Sequence, residues 1–264
     1  MTKKTTTNKP KILFYDIETK PLKAWIWRPG KQVVRPAQLD TQYNEYDVIC
    51  ISYEWLHTNV KGTLDWGYKA QNSKKMIKRM TELFDEADIV IGKNNKRFDD
   101  KHMNTMRLKH GLPGRPDLSS KVDDLESQMR RHFMLASYGL DYFSEILGYG
   151  GKTKMCFQDW IDIVEKTKNG EKAFNKMCNY CAKDVHDTKL IWKHCEKHFI
   201  PKFNYAAAIN DKENIVCTAC GSKNVIKNGT RLSGVTKHQH YYCKDHGGYA
   251  GKKPINSKSN ILRS

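Results

Sequence analysis

The chain has 264 residues, with 46 Lys and Arg against 29 Asp and Glu, a formal charge of +17 and a pI near 9.4. That length allows one medium domain with a buried core plus a small appendage, and it excludes a string of large domains. The positive excess points to a polyanionic partner, nucleic acid first, while the polar segment 1–10 and the lack of any run of about 20 apolar residues argue against a signal peptide and a membrane partner.

The expected compartment is therefore the cytoplasm, where the eight cysteines read as thiols or metal ligands before disulfides. Residues 1–10 read as a flexible basic N-terminus. Residues 11–17 are a short apolar run ending in charge, as in a buried strand, and further strands fit 48–56 and 60–68. Between the first two strands, residues 20–46 carry Trp25, Trp27, Pro29, Gly30 and Pro36, the composition of an ordered loop rather than a linker, packed on the core or touching substrate. Met76, Ile77, Met80, Leu83 and Phe84 follow helical spacing over 73–86, and 88–92 reads as a strand. Helices are predicted over 99–110, 123–132, 139–147, 158–168 and 171–199. The order βββαβα followed by helices makes an α/β fold with a mixed sheet. Residues 201–264 hold eleven Lys or Arg against three Asp or Glu, a net +8.

Three short segments carry candidate chemistry. Asp16 and Glu18 stand two apart at a strand end, so both carboxylates can point to one side; such a pair is costly unless a cation neutralises it. Asp99 follows Gly92-Lys93-Asn94-Asn95-Lys96-Arg97-Phe98 and opens a predicted helix near the open end of the sheet. Tyr180 and Asp184 stand four apart and share a helix face. Each alone reads as a solvated edge, an N-terminal helix acid, or a core tyrosine beside a surface aspartate.

In this order and spacing the segments resemble the DEDDy branch of the DEDD exonucleases, which includes the proofreading domains of family-B DNA polymerases and stand-alone phage and bacterial relatives. Asp16-Ile17-Glu18-Thr19 resembles the first motif, Asn94-x-x-x-Phe98-Asp99 the second and Tyr180-x-x-x-Asp184 the third, over about residues 11–198 of an expected domain 11–200. Asn95 is the other candidate for the asparagine. The resemblance implies a ribonuclease-H-like fold and two Mg²⁺ or Mn²⁺ ions held by Asp16, Glu18, Asp99 and Asp184. It also implies Tyr180 orienting the attacking water, and Thr19, Asn94 and Phe98 near the terminal nucleotide. Two such ions about 3.5–4 Å apart stabilise the attacking and leaving oxygens of a displacement at phosphorus. The product would be a nucleoside 5′-monophosphate. The segment 122–125 and the acid Asp141 after Gly139 also look like phage-type members, with Asp123, Asp124 and Asp141 as capping or supporting acids.

Two cysteine clusters invite a zinc reading. Cys178, Cys181, His194 and His198 have finger-like spacing, yet they lie in a helical stretch that contains Tyr180 and Asp184, and the two geometries are incompatible. Cys217-x-x-Cys220 and Cys243-x-x-His246 instead suit two knuckles around one structural Zn²⁺, which a piece this small needs as a staple. His238 and His240 are alternative fourth ligands. This segment resembles the zinc ribbon of some insertion-sequence transposases, so 201–213 reads as a linker, 214–250 as the ribbon and 251–264 as a basic tail. Lys223, Lys227, Arg231, Lys237 and Lys244 would decorate it, with Tyr241 and Tyr242 stacking on bases or filling the ribbon's core.

The resulting expectation is a 3′→5′ exonuclease acting on single-stranded DNA or DNA 3′ ends, in a host's cytoplasm if phage-encoded, with RNA as the alternative substrate. A non-catalytic nucleic-acid-binding protein is the reading from another class, disfavoured because all five catalytic positions are filled. A proofreading role would need a polymerase or replication partner in trans.

Overall fold

The structure, a computed structural model, describes residues 9–41, 45–149, 154–209, 211, 213–233 and 236–255. Most of the predicted flexible N-terminus and most of the predicted tail lie outside these residues. Strand β1 (Ile12–Thr19) is the centre of a five-stranded mixed sheet of order β3-β2-β1-β4-β5. It pairs antiparallel with β2 (Val48–Trp55), which pairs with β3 (Lys61–Asp65), and parallel with β4 (Ile89–Gly92), which pairs with β5 (Val122–Asp124). Helices flank this sheet.

A strand buried on both faces must be apolar at successive positions, which is why residues 12–15 are Ile, Leu, Phe and Tyr. Leu13, Tyr15 and Ile17 enter one core with Ile77, Met80 and Phe84 of α1 (Lys74–Glu86) and Met103 and Met106 of α2 (Asp99–Lys109). Ile12 and Phe14 enter the other with Leu125 and Met129 of α3 (Leu125–His132) and Leu140 and Phe143 of α4 (Leu140–Ile146). Each fully buried side chain of this kind contributes roughly 1.5–3 kcal/mol.

After α5 (Phe157–Val164), the long α6 (Gly170–Cys195) serves both cores. Its Phe174, Met177 and Cys181 join the first, and Val185, Ile191 and Trp192 join the second. Asp184 lies at the changeover. A side chain at Gly170, the first residue of α6, would meet the Tyr68 hydroxyl and the carbonyl oxygen of Asp162.

Residues 122–124 form the edge strand β5, although the sequence predicts a helix from 123 onward. Three residues are too few to show a period, and pairing with β4 overrides local preference. Asp124 caps α3 by accepting from the Ser127 amide at 3.0 Å, and the buried Asp123 accepts from Gln128 Nε2 at 3.0 Å. Strand β3 ends earlier than expected because Trp66 turns into the core.

The C-terminal part forms a second sheet, β6 (Val225–Ser233), β7 (Thr236–Cys243) and β8 (Gly248–Pro254), around Cys217, Tyr241, Cys243 and Ala250. Tyr241 is thus core, and Tyr242 is partly exposed. Strand β8 runs past residue 250 into the predicted tail. The predicted linker contains α7 (Tyr205–Ile209), and Tyr205 packs in the second core beside Phe199 while its amide donates to Thr218 O at 2.8 Å. Among the described residues no helix is long and apolar enough to cross a membrane.

Candidate active site and Cys/His cluster

The β1–β4 ladder pairs Phe14 with Ile91, so β1 runs on beyond the end of β4 at Gly92. Asp16 and Glu18 occupy that overhang, with Ser52 and Cys50 of β2 as cross-strand partners. The ladder shifts register between Glu18 and Thr19, and Thr19 ends the strand. Ligand oxygens of Asp16, Glu18 and Asp184 all lie within 4.8 Å of one another.

Asp99 belongs to the same neighbourhood without joining that mutual set. It is 4% exposed, and its Oδ1 accepts from the Ile17 amide at 3.2 Å, on the peptide between Asp16 and Glu18. Burial, followed by the charges of Asp100 and Glu18, pushes its carboxyl up to about 7, against the lowering effect of backbone hydrogen bonds from its own amide and that of Ile17. Tyr180 bonds to Asp184, and its hydroxyl is raised well above the ordinary phenol value by burial first, then by Asp184, Glu18 and Asp16. It is therefore a neutral donor at physiological pH.

The remaining predicted residues take different places. Asn94 adopts a left-handed turn at φ 60° and accepts from the amides of Arg97 and Phe98 at 3.1 and 3.2 Å. That is a structural use, since Asn is among the few residues that tolerate this region. Asn95 is fully buried, with Nδ2 lacking a hydrogen-bond partner. A side chain at Gly92 would stand 2.9 Å from that Nδ2 and 3.0 Å from Tyr15 O. Phe98 is 43% exposed and lies against His102 at a centroid distance of 4.5 Å, with Tyr46 on His102 at 5.2 Å.

Sequence reasoning missed several supporting groups. Tyr15 donates to Asp100 Oδ1 at 2.6 Å, fixing the start of α2 to β1. The Cys181 thiol donates to Asp16 O at 3.5 Å and approaches Asp16 Oδ2 at 3.8 Å. Only the position of Cys181 between Tyr180 and Asp184 could have flagged it.

In the second cluster, ligand atoms of Cys217, Cys220, Cys243 and His246 lie within 4.8 Å of one another. His246 Nδ1 is 3.5 Å from Cys217 Sγ and from Cys220 Sγ, and the Cys220 and Cys243 sulfurs are 3.6 Å apart. Tetrahedral zinc with bonds near 2.3 Å to sulfur separates its ligands by about 3.8 Å or a little less, so the donor set fits. Burial alone would lower the His246 pKa, but hydrogen bonds with Cys220 and Cys243 raise it to about 9. His238 bonds to Thr236 O at 3.0 Å, and His240 packs on Tyr249; neither joins the cluster. Cys178 and His194 lie on the single helix α6, separated along its axis by about 24 Å, which removes the finger-like alternative.

Three hard carboxylates at the sheet end fit an oxygen-loving divalent ion, and three thiols with an imidazole fit a softer one. No family model matches the sequence, and no curated protein matches it. Among solved structures the chain is similar to the family B DNA polymerase from the hyperthermophilic archaeon Pyrobaculum calidifontis, at 13% identity and a TM-score of 0.52, over 87% of this chain and 32% of that one. At that identity the likeness is one of fold, and it agrees with the ribonuclease-H-like α/β arrangement of sheet and helices described above.

Proposed function

We propose that the chain is a 3′→5′ exonuclease that removes nucleoside 5′-monophosphates from DNA 3′ ends. The observation that carries this reading is the convergence of Asp16, Glu18 and Asp184, with Asp99 bonded to the peptide between the first two and Tyr180 bonded to the third. Four carboxylates so close repel one another unless cations occupy the site. Asp16, Glu18, Asp99 and Asp184 would hold two Mg²⁺ or Mn²⁺ ions, which when bound supply charge neutralisation at the scissile phosphate.

The chain's own groups supply position. Tyr180, kept protonated by its surroundings, orients water through its hydroxyl and does not act as a base. Phe98, half-exposed at the head of α2, offers a ring face to the terminal base, and Thr19 sits at the site's rim. The likeness of fold to a DNA polymerase and the net charge of +17 both support a nucleic-acid substrate. The Cys/His cluster would hold one structural Zn²⁺, and Lys227, Arg231, Lys237 and Lys244, all exposed around it, would grip the substrate.

Incubating 3′-labelled and 5′-labelled single-stranded DNA and RNA with Mg²⁺ tests the reading. The expected result is mononucleotide release from the 3′ end of DNA, lost in Asp16→Ala. Release from RNA alone would make the enzyme an exoribonuclease. No release from either, with Asp16→Ala indistinguishable from the parent, would leave a non-catalytic binding protein.

A further inference from the structure

Residues 20–41 form an arm that starts at the rim of the candidate site, one residue after Thr19. Its neck is closed by a bridge between Ala24 and Leu39 and by bonds from Trp25 N to Gln38 O at 2.8 Å and from Asp40 N to Lys23 O at 2.9 Å. Lys23 pins the neck to the end of α5 through Glu165 at 3.0 Å. The tip carries its own bonds, from Gln32 Nε2 to Arg28 O at 2.8 Å and from Arg35 N to Gln38 Oε1 at 2.9 Å. It is a built projection.

The arm exposes what a chain normally buries. Trp27 is 98% exposed and Trp25 71%, so both faces of the Trp27 ring are open. Arg28, Lys31 and Arg35 are exposed beside them, and no Asp or Glu occurs from residue 20 to Asp40. Open indole faces beside exposed cations match a single nucleic-acid strand, whose bases stack while its phosphates pair with Lys and Arg. A protein-docking patch has an apolar centre inside a polar rim; here the exposed apolar runs 25–27 and 33–34 are separated by Arg28 and Lys31 and followed by Arg35. Trp27 lies nine residues beyond Glu18 in the chain, which limits their separation to about 30 Å, a span that a few nucleotides cover.

We infer that the arm is a stacking platform for the single-stranded segment leading to the catalytic carboxylates, with Trp27 and Trp25 as the base contacts and Arg28, Lys31 and Arg35 as the phosphate contacts. This rests on the exonuclease reading for the location of the 3′ end, but not for the binding itself.

The test is fluorescence anisotropy of a labelled oligo-dT with the full chain in chelator, so that nothing turns over. Trp27→Ala is expected to weaken binding about tenfold, Trp27→Phe to restore most of the affinity, and Arg28→Ala to make the salt dependence shallower by roughly one counterion. Trp27 makes few contacts, so the variant should fold, and its far-ultraviolet spectrum checks this. Unchanged affinity in Trp27→Ala overturns the inference, as does a parent chain that binds phosphatidylserine vesicles and not the oligonucleotide. If Trp27→Ala weakens binding but the parent releases no nucleotide with Mg²⁺, the exonuclease reading fails and the platform stands. If nucleotide release occurs and Trp27→Ala binds normally, the platform alone fails.

Discussion

Asp99 and Tyr180 respond to the same crowd of carboxylates in different ways, and each gives a testable consequence. Asp99, held near 7, is protonated over part of the physiological range when no cation is present. An acid whose folded pKa is raised favours the protonated fold, so its contribution to stability is present below the unfolded value near 3.9 and is lost as pH rises through about 7. A divalent ion competes with that proton. The rise in Tm on adding Mg²⁺ should therefore be larger at about pH 8 than at about pH 5.5, and Asp99→Asn should flatten the difference; equal shifts at both would take Asp99 out of the metal site. For Tyr180, removing only the hydroxyl costs a hydrogen bond to a charged partner, roughly 1.5–3 kcal/mol. Tyr180→Phe should lower kcat about 10- to 100-fold and, through the lost bond to Asp184, lower Tm by roughly 3–10 °C. Because the phenol stays protonated well beyond neutral pH, no alkaline limb of the parent's profile below about pH 10 should belong to it.

At the scale of elements, legibility followed the number of residues that repeat a pattern. Strand β1, helix α1 and helix α6 were readable because burial on two faces, or along one stripe, dictates many side chains at once. Asp16, Glu18, Tyr180 and Asp184 were readable because they stand at fixed offsets on those elements. Strand β5 was not, since three residues, two of them aspartates, owe their extended form to the neighbouring β4 and not to themselves. Nor could spacing separate Asn94 from Asn95, whose difference lies in a turn with φ 60° and in a buried amide. The composition of the long insertion predicts an ordered loop, but the exposure of its tryptophans is a tertiary fact that no sequence period records. The start of α6 is dictated by close approach: Gly170→Ala gains helix propensity but must displace the Asp162 carbonyl. A net loss of about 1–3 kcal/mol is expected, or roughly 3–10 °C in Tm, and an unchanged Tm would show that the contact relaxes freely.

For the whole molecule, the question is where the two sheets separate. The predicted boundary after residue 200 cuts through packing, because Tyr205 is buried in the second core with Phe199, and Phe203 lies against it. A chain ending at 209 keeps these side chains, while one ending at 200 loses them, at about 3–5 kcal/mol for a buried aromatic. The shorter chain should therefore melt well below the longer one, although both lack the Cys/His cluster; equal melting would mean that α7 is not part of the main core. Zinc should follow the same division, with about one ion per full-length chain and none in the chain ending at 209 or in Cys243→Ser. The chain ending at 209 also loses Lys227, Arg231, Lys237 and Lys244. Single-stranded contacts contribute about −0.7 each to the slope of log K against log salt, so its slope should be shallower by roughly 2–3 than that of the full chain. Turnover at saturating substrate should change far less than affinity, because Asp16, Glu18, Asp99, Tyr180 and Asp184 all belong to the retained body. A salt slope that survives the truncation would place the binding charges on the arm and the main body, and leave the second sheet with its Cys/His cluster a structural role only.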